Sequence, residues 1–581
     1  MSGLKHCSVL TVIFAALLTW SGPATWAQDA VGTEKWVKFL SFQYSGTASV
    51  AAKEGEYQNP IVAGFYPDPS ICRVGDDYYL VNSSFQYFPG LPIWHSKDLV
   101  NWTQIGNVID RPSQYPMRGG DVSRGMYAPS IHFHDGTYYV VCTLVGGGGN
   151  FYVTAKDPKG PWSDPNFLRG VGGIDPSFFF DDDGKCYILN CDEPPNRQAQ
   201  YNGHRTIRLQ EVDLEQKQVV GEQTILVNGG TDITQQPVWC EAPHLYKVNG
   251  AYYLMCAQGG TGTNHSEVIF KSDSLRGPYS PGPKNPMITA RDLPADRPNP
   301  VICTGHADMV QTQNGEWFAV FLACRPYQAG FYNLGRETFL LPVKWEDGWP
   351  TMLPPRTPVP LTAPKPNLPA GAPAAVPTTG NIRFTDNFDS EKLAFRWISL
   401  RGPTSPWYVA KPSDKALYLE PREELVSGQG NPSFLAVRQQ NNDFTCSVTL
   451  AAQPATANCI AGLVAFQNER HFYALDVKID GGNLTEVSLE RSPGGRGGRR
   501  GRRGGADPAT QVSPAAVADR LPENTRTIEL KIEGVGPVTK CFYKVAGGEF
   551  KQLGDDLASS FLSTDTAGGF QGVTLGMFAH D

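Results

Sequence analysis

Five stretches decide how this chain folds: DPSICRVGDD (68–77), YAPSIHFHDG (127–136), DPSFFFDDDG (175–184), EAPHLYKVNG (241–250) and HADMVQTQNG (306–315). They align without gaps. Four end in Asp-Gly or Asn-Gly, and the first is aligned by taking Asp77 as the equivalent of Gly136, Gly184, Gly250 and Gly315. Aromatic residues follow each turn: Tyr78-Tyr79, Tyr138-Tyr139, Tyr187, Tyr252-Tyr253 and Trp317-Phe318. Such turns between apolar runs signal β-hairpins. The repeats are spaced by 48 to 66 residues, room for about four short strands, which is one propeller blade. The expected fold is therefore all-β, beginning with a five-bladed β-propeller.

The remaining composition agrees. Glycine (61) and proline (47) run throughout the 581 residues and favour turns and short strands over long helices. A charged share of 18% beside 11% aromatics excludes a disordered chain. The net charge of -7 argues against a general nucleic-acid binder. Residues 494–505 are only Gly and Arg. They read as an inserted loop between two strands, because the tract is short and isolated in an acidic chain.

Lys5 and His6 precede an apolar run from Val9 to Trp20, and Ala24-Thr25-Trp26-Ala27 follows. Residues 1–27 read as a secretory signal peptide, which predicts an exported, periplasmic or extracellular protein with no membrane anchor. Eleven of the twelve cysteines remain beyond it, an odd number without metal-ribbon spacing. They read as small buried residues, with room for one or two bridges after export. Nine prolines in 354–377 mark a stiff linker. The expected spans are a propeller over 57–353, a linker over 354–381 and a second domain over 382–581.

Counting back nine residues from each turn position reaches Asp68, Tyr127, Asp175, Glu241 and His306. Equivalent positions in a propeller are related by rotation about the central axis, so these five side chains should meet at one mouth of the channel. Three are carboxylates. Two chemistries fit three carboxylates there: a divalent-cation site built from oxygen ligands, or acid/base hydrolysis of a glycosidic bond. Phe65, Tyr66, Phe85, Tyr87, Phe88, Trp94, Tyr127 and Phe178 lie near these strings and favour a sugar site. Arg336 is a further candidate for holding a sugar hydroxyl or a carboxylate.

Seven ordered motifs resemble glycoside hydrolase family 43. They are Asn59-Pro60-Ile61 through Phe65-Tyr66-Pro67-Asp68-Pro69-Ser70, Trp94 to Trp102, and Gly173-Ile174-Asp175-Pro176-Ser177. Glu241-Ala242-Pro243-His244, Gly305-His306-Ala307-Asp308, Gly335-Arg336-Glu337-Thr338 and Trp345 to Pro350 complete the series. The resemblance covers 57–355. It implies hydrolysis with inversion, with Asp68 as general base, Glu241 as general acid and Asp175 raising and orienting the acid. It also implies Arg336, Phe85 and Tyr127 in the first sugar subsite, and His306 beside an axial water or a structural calcium, with no cofactor required. The implied substrate is a xylo-oligosaccharide or arabinoxylan. Exo-acting β-xylosidase is the first reading and α-L-arabinofuranosidase, or both, the second; a silent carbohydrate-binding propeller is the non-enzymatic alternative. Phe384-Thr385-Asp386-Asn387-Phe388 and later strings resemble the concanavalin A-like β-sandwich (jelly roll) of the family's xylosidase branch. One more strand is expected after Phe578-Ala579-His580-Asp581, so the sandwich is read as truncated or as lacking its last strand.

Overall fold

Each of the five stretches forms or leads into the first strand of an antiparallel sheet of four main strands. These strands are Ser70–Val74, Ser130–His134, Ile174–Phe180, Glu241–Val248 and Ile302–Gln311. Each touches the first strand of the next blade, and the fifth touches the first, so the five sheets close a ring around one axis. The computed structural model describes residues 32–117, 119–328, 330–495 and 517–581. The leader read at 1–27 and the Gly/Arg tract beyond Gly495 lie outside them. Among the described residues no helix is long and apolar enough to cross a membrane.

The ring is closed by polar contacts that tie its ends together. The Ile61 amide donates to Thr338 O at 2.9 Å, and Asn59 exchanges two bonds with the Leu340 backbone, each 2.9 Å. Asp308 accepts from Ser70 Oγ (2.6 Å), the Ile71 amide (2.9 Å) and Tyr246 Oη (2.6 Å), joining blades 1, 4 and 5. Ser177 Oγ donates to Pro243 O between blades 3 and 4. These groups are buried, and leaving any of them unpaired would cost about 1–3 kcal/mol.

The ungapped repeat alignment needs one correction. In blade 1 the turn is Gly75-Asp76 and Asp77 already begins the second strand, so Asp76, not Asp77, matches Gly136. The turns of blades 3 and 5 are longer than those of blades 1, 2 and 4. Counted from the turns of blades 1, 2 and 4, Ser70, Ser130 and His244 are equivalent, so Asp68 is level with Ala128 and Ala242, and Tyr127 and Glu241 stand one residue earlier. Register shifts fall at Ile174/Ser177, Glu241/His244 and Gly305/Asp308. A bulge re-aims the side chains beside it.

The second domain is a sandwich of two antiparallel sheets. One runs through Tyr408–Lys411, Ala416–Leu419, Val37–Thr47, Asp443–Ala451, Thr527–Val535 and Val538–Val545. The other includes Asn483–Arg491, His471–Asp480, Cys459–Asn468, Thr574–His580, Ser433–Arg438 and Ile398–Leu400. The span 382–581 expected for this domain needs a correction: Val37–Thr47, which precedes the propeller, sits mid-sheet. Its alternating burial puts Phe39, Phe42 and Tyr44 into the sandwich core beside Trp397 and Leu450. The Gly/Arg tract falls between Asn483–Arg491 and Val517–Arg520, which pair with each other.

The Pro-rich segment is pinned to the propeller along its length. Thr362–Pro364 pairs with Glu56–Gln58, the Gly371 amide donates to Asp98, and Thr378 Oγ1 donates to Ile61 O. All eleven cysteines beyond the leader are free thiols, ten of them buried, so none of the bridges allowed for on export is present here.

Phe42 is fully buried and meets Trp397 edge-on at 4.8 Å between ring centroids. Phe42→Ala is expected to lower the stability of the sandwich by about 3–5 kcal/mol in urea unfolding. A change under about 1 kcal/mol would mean that the N-terminal strand is dispensable to that core.

Candidate active site

All five repeat-position side chains line one cavity of about 720 Å³ at the mouth of the propeller. The backbone explains how they arrive. Asp68, Asp175 and His306 have φ values of 52, 54 and 52°, and Ala242, just after Glu241, has 53°. This left-handed kink in non-glycine residues costs free energy, and such strain concentrates at functional sites. It turns each side chain out of the strand's alternation and toward the axis.

Asp68 is held as an anion. Arg336 Nη1 donates to Oδ1 at 2.6 Å and Ser83 Oγ to Oδ2 at 2.5 Å, while His306 Nδ1 lies 3.8 Å from Oδ1. Burial pushes the Asp68 carboxyl up, but Arg336, His306 and the Ser83 bond together outweigh it and hold it below the usual range. Asp175 accepts one bond, from the Ala242 amide at 3.2 Å. Burial first, and the Asp68 charge second, push it up to about 7. Glu241 goes further. Burial raises its carboxyl well above the ordinary value, and the charges of Asp175 and Asp68 add to the effect. One carboxylate is thus kept ionised and another kept protonated in a single cavity, the division of labour that acid/base hydrolysis needs.

The opposite wall is aromatic. Phe85 and Tyr127 line the cavity and lie 5.1 Å apart. Of the eight aromatics near the repeat strings, these two alone line it. Phe65, Tyr66, Tyr87, Phe88, Trp94 and Phe178 instead belong to buried hydrophobic clusters. Arg336 sits over the Phe85 ring at 5.9 Å and over Phe570 at 5.6 Å. Phe570 comes from the sandwich and stacks on Phe85 at 5.6 Å. It is held in place by its neighbour Gln571, which donates to Val122 O and accepts from Ser123 Oγ. Sequence reasoning missed Phe570, since no repeat or spacing links it to the propeller. It also missed Ser83, and Trp239, which enters the cavity two residues ahead of Glu241.

A calcium beside His306 would need about six to eight oxygen ligands. Among the described residues no group of three or more His, Cys, Asp or Glu side chains is arranged to hold a metal. Asp68, the carboxylate that contacts His306, is committed to Arg336 and Ser83. A cation there would be held by His306 and water rather than by a cage of protein oxygens, and no step below is routed through one.

Removing the charge of Asp175 should lower the pKa of Glu241, so that Glu241 loses its proton at lower pH. The basic limb of the kcat/KM profile reports the free enzyme's acid. Asp175→Asn should therefore move that limb to lower pH and leave the acid limb, set by Asp68, nearly in place. An unmoved basic limb would mean that Asp175 does not tune the acid.

The glycosyl hydrolases family 43 model matches residues 57–350, and a β-xylosidase C-terminal concanavalin A-like domain matches 385–581. A xylosidase/arabinosidase of Butyrivibrio fibrisolvens is 44% identical over 427 residues, covering 72% of this chain and 80% of that one. A non-reducing end α-L-arabinofuranosidase of Bacteroides ovatus is 37% identical over 537 residues, covering 92% and 93%. Among solved structures, a GH43_12 retrieved from a capybara gut metagenome superposes with a TM-score of 0.83 at 39% identity, covering 94% of this chain and all of that one. The ring of five blades, the three carboxylates at its mouth and these likenesses over both domains agree: this chain is a glycosidase and belongs to glycosyl hydrolases family 43.

Proposed function

We propose that the protein removes single pentoses from the non-reducing ends of xylo-oligosaccharides and arabinoxylan fragments, with inversion at the anomeric carbon. The observation that carries this reading is the split between an ionised Asp68 and a protonated Glu241 in one cavity. Asp68 takes a proton from water as the water oxygen bonds to the anomeric carbon. The bond to the leaving oxygen breaks, and Glu241 gives that oxygen its proton. Asp175 keeps the acid protonated and fixes the strand beside it through the Ala242 amide. Arg336, Phe85, Tyr127 and Phe570 hold the pentose whose anomeric carbon is attacked.

Exo action fits a cavity with a walled end. The sandwich loop carrying Phe570 lies against Phe85 and Tyr127 and closes that side. β-Xylosidase is the first activity. The α-L-arabinofuranosidase activity is a second use of the same subsite, favoured by the names of the two relatives above, a xylosidase/arabinosidase and an α-L-arabinofuranosidase. The leader-like residues 1–27 support export, which would place the enzyme with polymeric plant substrates. Aryl xylopyranoside, arabinofuranoside and arabinopyranoside, compared by kcat/KM, test the assignment. Turnover of none of them would overturn it.

General acid catalysis helps most when the leaving group is poor, and typically contributes roughly 10²–10⁴-fold. Glu241→Ala should therefore lose far more activity on an oligosaccharide than on a dinitrophenyl glycoside. Asp68→Ala should lose heavily on both, since water still needs its base. The reverse pattern would swap the two roles. Proton NMR of the first sugar released should show the anomer opposite to that of the substrate. A retained anomer would rule out the single-displacement mechanism.

A further inference from the structure

Resting on that reading, the leaving sugar must lie on the Glu241 side of the cavity, where the acid can reach its oxygen. Trp239, two residues before Glu241 in the chain, lines the same cavity. Its backbone is left-handed, with φ of 50°. Its amide donates to Gly203 O at 2.8 Å, and the preceding Val238 O accepts from the Gly259 amide at 2.7 Å. Gly203 has no room for a side chain, because a Cβ there would lie 2.6 Å from Trp239 Cδ1. An indole held this firmly at a sugar cavity is a stacking platform.

Arginines line the same cavity. Arg197, Arg205 and Arg208 line the cavity together with Asp192 and Glu193. Two of the three are matched: Arg208 pairs with Asp192 and Arg197 with Glu193, each at 3.3 Å. Arg205 is the remainder. It donates Nη1 to His204 O at 2.8 Å and stands 5.3 Å over the Trp239 ring. Among the described residues it forms no ion pair with a carboxylate. A half-buried guanidinium that spends one of its five N–H groups on the backbone has a planar fork left over. A neutral pentose offers that fork only hydroxyls, whereas a carboxylate accepts two parallel bonds from it.

We propose that this side of the cavity is a leaving-group subsite for an acidic sugar, a hexuronate carried on the sugar being left behind. Trp239 would be its platform and Arg205 its carboxylate partner. The surplus positive charge sits in a chain whose net charge is -7, so it is a local feature of this wall.

The test compares two matched substrates. One is a xylosyl oligosaccharide whose leaving sugar bears glucuronic acid, and the other is the same molecule with that carboxyl reduced to an alcohol. Wild-type enzyme should favour the acid by roughly tenfold in kcat/KM, the size expected of a hydrogen bond to a charged group. The preference should shrink as salt is raised from about 0.01 M to about 1 M, because the pair is partly exposed. Arg205→Ala should bring the ratio of the two substrates close to one. Equal turnover of the two by wild type, or a preference that survives in Arg205→Ala, would overturn the inference. Should Arg205→Ala fail to fold, the wild-type ratio and its salt dependence decide alone. Failure to cleave any aryl pentoside would instead overturn the proposed function, so the two failures are distinct.

Discussion

Asp308 is the carboxylate around which the propeller closes. It binds Ser70 and Ile71 of the first blade and Tyr246 of the fourth from its own place in the fifth. Asp68 lies two residues before Ser70, and His306 two residues before Asp308. Closing the ring at this point therefore sets the spacing between the base and its neighbours. A buried carboxylate with three donors is inexpensive to keep, whereas one deprived of them would be an unpaired charge at the axis. The site's precision depends on a group that does no chemistry.

The same economy separates the three catalytic-type carboxyls. All are buried, so burial alone would raise all of them. Arg336, with His306 and Ser83, reverses the effect for Asp68, whereas burial prevails at Asp175 and Glu241 and the Asp68 charge adds to it at both. An arginine 2.6 Å from one carboxylate, helped by a histidine and a serine, thus divides identical chemistry into a base and an acid.

How much of this could be read from the sequence follows from which constraints are local. The hairpin turns and the residues ahead of each inner strand repeat along the chain, so the five blades and Asp68, Tyr127, Asp175, Glu241 and His306 were legible. The one-residue slip at Asp76 and Asp77 arose because the first turn is Gly75-Asp76, with its glycine first, where the second is Asp135-Gly136, so no glycine marks the matching place. Phe570 was not legible, because it reaches the cavity only through tertiary packing of another domain. Val37–Thr47 was hidden for the same reason. A single alternating strand before the propeller carries no mark of the sheet it will join.

That strand also sets a timetable. Phe42 pairs with Val448, so a segment made at the start must wait for a partner made near the end. At about 5–20 residues per second of synthesis, the delay is roughly 20–80 s, during which its apolar face has no sheet to join. The propeller can close in that interval, since both of its ends lie between the two strands. Closure of the ring ahead of the sandwich is therefore open to this chain, and the reverse order is not until Val448 is made. The chain also cannot be divided at its proline-rich segment into two self-sufficient halves, because the N-terminal half would carry off a strand of the sandwich's core.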